Sequence, residues 1–205
     1  MRIDHVVLAV RDLDEAADRL AREHGLATMP GGSHPGWGTA NRIAPLGADY
    51  VELLAVVDPE VARGTTLGRM LLERSANGDE WFAVCLADDD IDATASRLGL
   101  TVEDGSRERP DGTVVRWRGA GIEDPRRTPG FPFFIAWDVA PGQHPAAASL
   151  EQPCGATGIA WVEIAADPVA FDAWTGDAGV PVRLIAGEPR VSRVAVATPD
   201  GELVL

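Results

Sequence analysis

The sequence predicts an α+β fold built from about three repeated units, each with the order strand, helix and then further strands. Three segments carry the repeat: IDHVVLAVRDLDEA at Ile3–Ala16, EWFAVCLADDDIDA at Glu80–Ala93 and, more loosely, IAWVEIAADPVAF at Ile159–Phe171. Each segment alternates apolar residues as a strand does and then meets acidic residues that open a helix. Such self-similarity indicates that one supersecondary unit has been duplicated and that its copies share a core.

The first unit opens with a strand at Ile3–Val10. A helix follows, because the sequence DLDE from Asp12 resembles a capping box and Gly25 is a typical helix stop. A Gly/Pro-rich loop and the segment ANRIAPL then lead to a last strand at Tyr50–Val56. A helical pattern over Thr66–Ser75 connects this unit to the next one.

The second unit has a strand at Trp81–Leu86, a helix at Ile91–Leu98 and later strands that end in PFFIAWDV, and the third opens with a strand at Ile159–Ala165. A Pro/Gly/Ala-rich stretch between them is typical of a linker. The predicted segments, within one compact domain, are the first βαβββ unit at 1–56, a connecting helical segment at 57–78, the second unit at 79–140, the linker at 141–156 and the third unit at 157–205.

The composition limits the classes of function. The chain has 205 residues and a formal net charge of −14, and all 18 of its basic residues are arginine. Because affinity for nucleic acid depends on clustered cations, this charge argues against a nucleic-acid partner. The lack of lysine excludes Schiff-base chemistry, and no apolar stretch approaches the roughly 18–20 residues of a membrane span. We therefore expect a cytoplasmic protein with a small-molecule ligand and no membrane partner.

One histidine breaks the symmetry of the repeat, and one glutamate lies inside an apolar strand. Alignment of the units places His5 opposite Trp81 and Trp161, and it places Glu52 opposite Glu202 near the end of the chain. A carboxylate inside an apolar strand needs a partner or a metal, because burying it unpaired is costly. A histidine with a glutamate is a usual start for binding zinc, nickel, manganese or ferrous iron. The alternative is a buried hydrogen-bonded pair on facing strands.

A second candidate site is the polar segment SHPGWGTANRIAPL. It brings His34, Trp37, Thr39, Asn41 and Arg42 into a short span of loop and strand. Asn41 or Arg42 could orient a carbonyl or carboxylate group of a ligand, and strand alternation allows only one of them to face inward. The alternative is a solvated edge strand whose glycines serve the turn.

Sequential βαβββ units, a histidine in IDHVVLAV and a glutamate in YVELLAV together resemble the vicinal oxygen chelate superfamily of glyoxalases, bleomycin resistance proteins and dioxygenases. More narrowly, HPGWGTANRIAPLGADYVELLAV followed by FPFFIAWD is similar to its glyoxalase-like domain branch. The resemblance implies paired units whose curved mixed sheets form a half-open cup, with a divalent metal held by the first and last strands of each unit. For the four ligand positions, the resemblance implies His5 and Glu52 from the first unit. If the second unit shares the cup, the other two positions are occupied by Trp81 and approximately Phe134. If the third unit does, they are occupied by Trp161 and Glu202.

The resemblance also implies a ligand, a small oxygen-bearing organic molecule bound in the cup. With a metal as Lewis acid, the protein would stabilise an enediolate or similar anion while Glu52 or Glu202 moves a proton, as in an isomerase or lyase. The main alternative is a metal-free, drug-sequestering protein whose cup is lined by Trp81, Phe134 and Trp161. A ring-cleaving dioxygenase matches less well, because no second histidine aligns. The odd third unit leaves a surface that a second chain could cover, so a homodimer is expected.

Overall fold

The structure is a computed structural model that describes residues 1–140, 142–176 and 178–205. Its strands are β1 Arg2–Ala9, β2 Met29–His34, β3 Thr39–Pro45, β4 Tyr50–Val56, β5 Glu80–Ala87, β6 Val102–Glu108, β7 Val114–Ala120, β8 Phe133–Asp138, β9 Gly158–Ala165, β10 Val182–Ile185, β11 Arg190–Thr198 and β12 Gly201–Val204. Its α-helices are α1 Leu13–His24, α2 Pro59–Gly64, α3 Thr66–Arg74, α4 Ile91–Leu98 and α5 Pro168–Thr175. The predicted α+β class with curved mixed sheets is confirmed.

The first eight strands close into one barrel with the order β1-β4-β3-β2-β6-β7-β8-β5. Strand β1 runs parallel to β4, with Val7 opposite Glu52, and antiparallel to β5, with His5 opposite Cys85. The barrel closes at the other side through a short pairing of β2 with β6, at Ser33 and Glu108. The predicted half-open cup is therefore a closed barrel, and the strands of the first two predicted units share it.

The last four strands form a separate sheet with the order β10-β9-β11-β12. Its final strand β12 pairs with β11 and lies two strands away from β9, whereas β4 in the barrel lies directly beside β1. The third predicted unit has the expected order of elements, but its strand order differs from that of the first. The expectation that Glu202 on β12 matches Glu52 on β4 fails for this reason.

A large apolar core lies between the outer face of the barrel and the second sheet, and it contains Val6, Phe134 and Val162. A smaller cluster lies inside the barrel and contains Val7, Ala83 and Phe133, with Leu67 and Leu71 of α3. Since neighbouring residues on a strand point to opposite faces, β1, β4, β5 and β8 each contribute to both clusters.

Helix termini follow the sequence signals closely. The Asp12 side chain accepts hydrogen bonds from the backbone N–H groups of Asp14 and Glu15 at the start of α1. Gly25 ends that helix in the left-handed conformation, with φ of 61°, which glycine adopts without strain. Asp90 and Gly99 bound α4 in the same way. None of the helices that the structure describes is long and apolar enough to cross a membrane.

The described part of the predicted linker, residues 142–156, packs against the barrel. Gln152 is buried, and its side-chain amide accepts a hydrogen bond from the backbone N–H of Ala27 at 2.8 Å. The same amide donates to the carbonyl oxygens of Ala27 at 3.1 Å and Pro45 at 3.2 Å. One side chain therefore satisfies three backbone groups of the barrel and ties the segment to it.

Replacing Gln152 with alanine should lower the free energy of unfolding by about 2–4 kcal/mol, because it leaves buried backbone groups without partners. Urea unfolding followed by circular dichroism measures this change. Gln143→Ala is the matched control, since Gln143 lies in the same segment with an exposed side chain, and its effect should stay within about 0.5 kcal/mol. Equal effects of the two substitutions would contradict the structural role given to Gln152.

Candidate functional site

A cavity of about 280 Å³ lies inside the barrel, just below the roughly 300–1,000 Å³ typical of small-molecule sites. Five of its lining residues are aromatic: Trp37, Tyr50, Trp117, Phe133 and Trp137. Its other polar and charged lining residues include His5, His34, Asn41, Glu52, Glu103, Asp104, Arg107, Glu123 and Asp124. The cavity therefore combines broad apolar walls with a few polar groups, as ligand sites do.

The His5 imidazole is bonded to Asp4, which is fully buried. His5 Nδ1 lies 2.7 Å from Asp4 Oδ1. Asp4 Oδ2 accepts hydrogen bonds from Trp137 Nε1 and His144 Nε2, each at 3.0 Å. His144 donates through Nε2 because its Nδ1 accepts from the backbone N–H of Ala146. Burial alone would raise the pKa of Asp4, but the hydrogen bonds from His144 and His5 hold it well below its usual value.

The ionised Asp4 fixes the tautomer of His5. Since a carboxylate only accepts hydrogen bonds, His5 donates through Nδ1 and turns Nε2 toward the cavity. The imidazole is also fixed in its plane, because Tyr50 stacks on it with ring centroids 4.6 Å apart and Phe133 meets it edge-on at 5.6 Å. The ring can neither flip nor tilt without breaking these contacts.

Glu52 on β4 lines the same cavity as His5 and is buried. Its Oε1 accepts a short hydrogen bond from the Asn41 side-chain amide, and its Oε2 lies 3.5 Å from His5 Nε2. That separation is long for a hydrogen bond. A carboxylate oxygen of Glu52 thus faces the His5 ring nitrogen that is not bonded to Asp4.

Arg107 on β6 is the cation of the cavity, and only 3% of its surface is exposed. Its Nη1 lies 3.4 Å from the Asn41 side-chain oxygen, and its Nε has no acceptor among the described residues. Within that part of the chain, no carboxylate lies within 4.0 Å of its guanidinium. Burial lowers its pKa from the ordinary value, although arginine stays charged at neutral pH.

His34 is a second buried imidazole in the cavity wall. Its Nδ1 lies 3.1 Å from the Thr39 hydroxyl, and its ring packs against Trp37 and Trp117, with centroids 5.6 and 6.1 Å away. Burial lowers its pKa from 6.5 to about 4, against the opposing influence of Glu52. His34 is therefore neutral at pH 7.

Two glycines make room for side chains of the cavity: Gly31 for Asn41 and Arg107, and Gly105 for Trp117. A Cβ at Gly31 would lie 2.2 Å from the Asn41 side-chain oxygen and 3.0 Å from Arg107 Nη1. A Cβ at Gly105 would lie 2.3 Å from the indole of Trp117, which rests on that backbone. Any larger residue at either position would displace a side chain of the cavity.

The structure brings five of the predicted site residues together in the cavity wall: His5, His34, Trp37, Asn41 and Glu52. Arg42 instead faces outward, where its guanidinium bonds to Thr28 and Asp14. Alternation along β3 explains the difference between Asn41 and Arg42.

The other predicted residues lie away from the cavity. Trp81 packs against the core outside the barrel, because the pairing of β1 with β5 shifts register between Val7 and Leu8 and turns β5 over. Phe134 lies in the same outer core, and its neighbour Phe133 faces the cavity. An error of one residue in a strand alignment is enough to exchange the two faces.

Trp161 and Glu202 lie together in the second sheet. The Trp161 indole donates to Glu202 Oε2 at 2.6 Å, and the Arg183 guanidinium lies 3.9 Å from the Trp161 ring centroid. Glu202 also pairs with Arg183 at 3.2 Å. This carboxylate has its own partners, and it does not meet His5.

Several site residues were not predicted. Asp4 carries a usable signal, because an acidic residue beside His5 in an apolar strand must itself find partners. Arg107 lies in a mixed-charge segment that predicts a solvated hairpin, and His144 lies in the predicted linker. Only the pairing of distant strands reveals these two, together with the indoles of Trp117 and Trp137.

Asp4, His5 and Cys85 form the one group of three potential metal ligands within the described residues whose ligand atoms lie within 4.8 Å of one another. Both Asp4 oxygens already accept hydrogen bonds. Burial raises the pKa of Cys85 well above its usual value, so it is a neutral thiol. This group therefore acts as support for His5. In the cavity, His5 Nε2 and Glu52 Oε2 are two potential ligand atoms that lie 3.5 Å apart.

Comparisons with known proteins agree with this architecture. A family model described as a glyoxalase-like domain matches residues 3–179. The crystal structure of a hypothetical protein from Staphylococcus aureus is similar over 99% of this chain and 83% of that one, with a TM-score of 0.65 and 17% identity. No functionally curated protein matches the chain.

Two methylmalonyl-CoA epimerases are more distant in structure. The enzyme from Mycobacterium tuberculosis has a TM-score of 0.47 and 20% identity, over 71% of this chain and 91% of that one. The enzyme from Streptomyces coelicolor, in complex with 2-nitronate-propionyl-CoA, has a TM-score of 0.48 and 20% identity, over 68% and 99%. Since the family model spans residues 3–179 of the 205, the chain belongs to the glyoxalase-like domain family.

Proposed function

We propose that the barrel cavity binds a small carbonyl compound and that Glu52 moves a proton at the carbon beside the carbonyl, as in an isomerase or lyase. The observation that carries the proposal is the position of Glu52, a buried carboxylate that faces an apolar cavity and lies 3.5 Å from a histidine of fixed tautomer. Carboxylates in water-poor surroundings are effective general bases once they are oriented toward the substrate.

Asn41 and Asp4 act as positioning residues in this scheme. The Asn41 amide holds Glu52 Oε1, so Oε2 is the oxygen free to accept a proton. Asp4 holds His5 Nδ1 at 2.7 Å, so His5 Nε2 points at the same region of the cavity. The substrate carbon would lie beside Oε2, with its carbonyl oxygen toward His5.

The facing atoms of His5 and Glu52 require a positive charge between them. A lone pair on Nε2 and an ionised oxygen 3.5 Å away repel each other unless a proton or a metal ion intervenes. Two ligands on one zinc ion, each bound at about 2.1 Å with tetrahedral angles, lie about 3.4 Å apart. The observed separation therefore fits one divalent ion held by His5 and Glu52.

The support around His5 also fits a metal ligand, since metal-binding histidines usually donate their other N–H to a carboxylate, as His5 does to Asp4. Two protein ligands are fewer than the three expected at a catalytic centre. Neighbouring oxygens of a substrate would complete the set. When bound, a divalent ion would supply Lewis-acid polarisation of those oxygens.

The second candidate function is metal-free binding of an apolar compound. It is favoured by the walls formed by Trp37, Trp117 and Trp137 and by the charge of the site. The buried charges of the site, Asp4, Glu52 and Arg107, sum to −1, so a single proton on His5 Nε2 would neutralise this buried set. A divalent ion would instead leave +1, which an anionic substrate would balance.

Elemental analysis separates these candidates. Protein purified without an affinity tag or chelator should hold close to one divalent ion per chain, and His5→Ala and Glu52→Ala should each lose it. His24→Ala and Glu60→Ala are matched controls outside the cavity and should retain it. Protein that holds no metal and takes up none of zinc, nickel, manganese or anaerobic ferrous iron would favour the metal-free function.

Proton transfer can be tested without knowledge of the natural substrate. We expect the protein to speed the exchange of carbon-bound hydrogen for deuterium in 2-oxobutanoate or hydroxyacetone in D₂O, as followed by NMR. Glu52→Gln should slow this exchange by roughly 100-fold or more. Glu60→Gln, which changes an exposed glutamate, should leave it intact. Undiminished exchange in Glu52→Gln would contradict the role of Glu52 as base.

The low pKa of His34 predicts a pH dependence of stability. As the pH falls from 6.5 toward 4, the unfolded chain gains a proton at this residue before the folded protein does, so folding loses stability. The full loss is about 3 kcal/mol. Urea unfolding at pH 7 and pH 4.5 measures how much the free energy of unfolding falls between the two pH values. This decrease should be about 2–3 kcal/mol smaller for His34→Gln than for the native protein. For His24→Gln it should equal that of the native protein. Equal drops for His34→Gln and the native protein would contradict this assignment.

A further inference from the structure

Arg107 is a buried cation with no counter-ion among the residues that the structure describes. Its exposed fraction is 3%, its Nε has no acceptor within the described residues, and its one hydrogen bond there runs from Nη1 to Asn41 at 3.4 Å. Leaving a charge buried and unpaired costs several kcal/mol. Because Arg107 lines the cavity, the simplest group that could satisfy it is part of a ligand.

Asn41 lies between Arg107 and Glu52, a carboxylate that lines the same cavity. The Asn41 amide donates through Nδ2 to Glu52, and its Oδ1 accepts from Arg107 Nη1. This one side chain is a neutral spacer between a base and a cation that would otherwise form an ion pair. Gly31 keeps the space open, because a Cβ there would overlap the Asn41 amide. The guanidinium thus retains an edge for an outside anion.

The remainder of the cavity is suited to an apolar body. Trp117 lies flat on Gly105, and its ring meets Trp137 edge-on with centroids 5.4 Å apart. His34, which is uncharged at pH 7, meets Trp117 at 6.1 Å. These rings form a wall next to Arg107 that excludes water and favours a planar or aromatic group.

We infer that the ligand is a small carboxylate with an apolar or aromatic body, and that Arg107 binds its carboxylate through the terminal N–H groups of the guanidinium that Asn41 leaves free. A planar guanidinium binds a carboxylate through two parallel hydrogen bonds, which fixes both position and orientation. With its carboxylate on Arg107, the ligand places its apolar body along the indoles of Trp117 and Trp137. The carbon next to its carboxylate then points toward Glu52. The inference rests on the proposed function for the role of Glu52, and it specifies the substrate class.

Isothermal titration calorimetry on the full chain tests this inference with phenylacetate and its uncharged analogue phenylacetamide. The native protein should bind phenylacetate at least tenfold more tightly than the amide. Arg107→Met should remove this preference, and Arg107→Lys should retain part of it. Arg116→Met is the matched control, because Arg116 lies on the neighbouring strand β7 with an exposed side chain, and it should bind as the native protein does.

Three results would overturn the inference: no binding of phenylacetate, equal affinity for acid and amide, or unchanged phenylacetate binding by Arg107→Met. If Arg107→Met does not fold, the test rests on the ratio of the affinities for phenylacetate and phenylacetamide, measured for the native protein and for Arg107→Lys. The deuterium exchange assay separates the two proposals. Carboxylate binding that depends on Arg107 without exchange contradicts only the proton transfer, while exchange with binding independent of Arg107 contradicts only the ligand class.

Discussion

The buried carboxylate of Asp4 is the contact on which the candidate site depends. It accepts hydrogen bonds from His5, Trp137 and His144, and so joins β1, β8 and the segment that follows β8. A fully buried carboxylate is tolerated only with such donors. In return it fixes the tautomer of His5 and aims Nε2 at Glu52. The arrangement follows from the strand order, because β8 pairs with β5 and β5 pairs with β1.

Much of this architecture follows from local sequence, and the departures have physical causes. Alternating strands, aspartate caps and glycine stops depend on neighbouring residues, so they could be predicted, as could the unusual pairing of His5 with Glu52. Trp81 was expected in the cup because the sequence does not reveal the register shift between β1 and β5. Glu202 was expected to match Glu52, but the strand order of the second sheet separates β12 from β9. Arg107 and His144 could not be assigned, since their burial comes from contacts distant in sequence.

The same strands contribute side chains to the stabilising core and to the candidate site. Because neighbouring residues on a strand point to opposite faces, the two sets of side chains stay separate. Phe133 faces the cavity while Phe134 packs against the second sheet, and Val7 and Val6 divide in the same way. A single register error would exchange these faces and place polar residues in the apolar core. The large outer core therefore stabilises the register that holds His5 and Glu52 inside the barrel.

The charges of the cavity explain why it is suited to a ligand rather than to a self-contained ion pair. Glu52 and Arg107 have opposite charges in a water-poor barrel, yet Asn41 lies between them and bonds to both. Direct pairing would engage both groups with each other and leave neither available to a ligand. Their separation leaves Glu52 Oε2 and the guanidinium of Arg107 at the cavity without a hydrogen bond between them within the described residues. Under the proposed function, a substrate that carries an exchangeable proton beside a carboxylate would contact both groups at once, and its binding would lower the electrostatic cost of their burial.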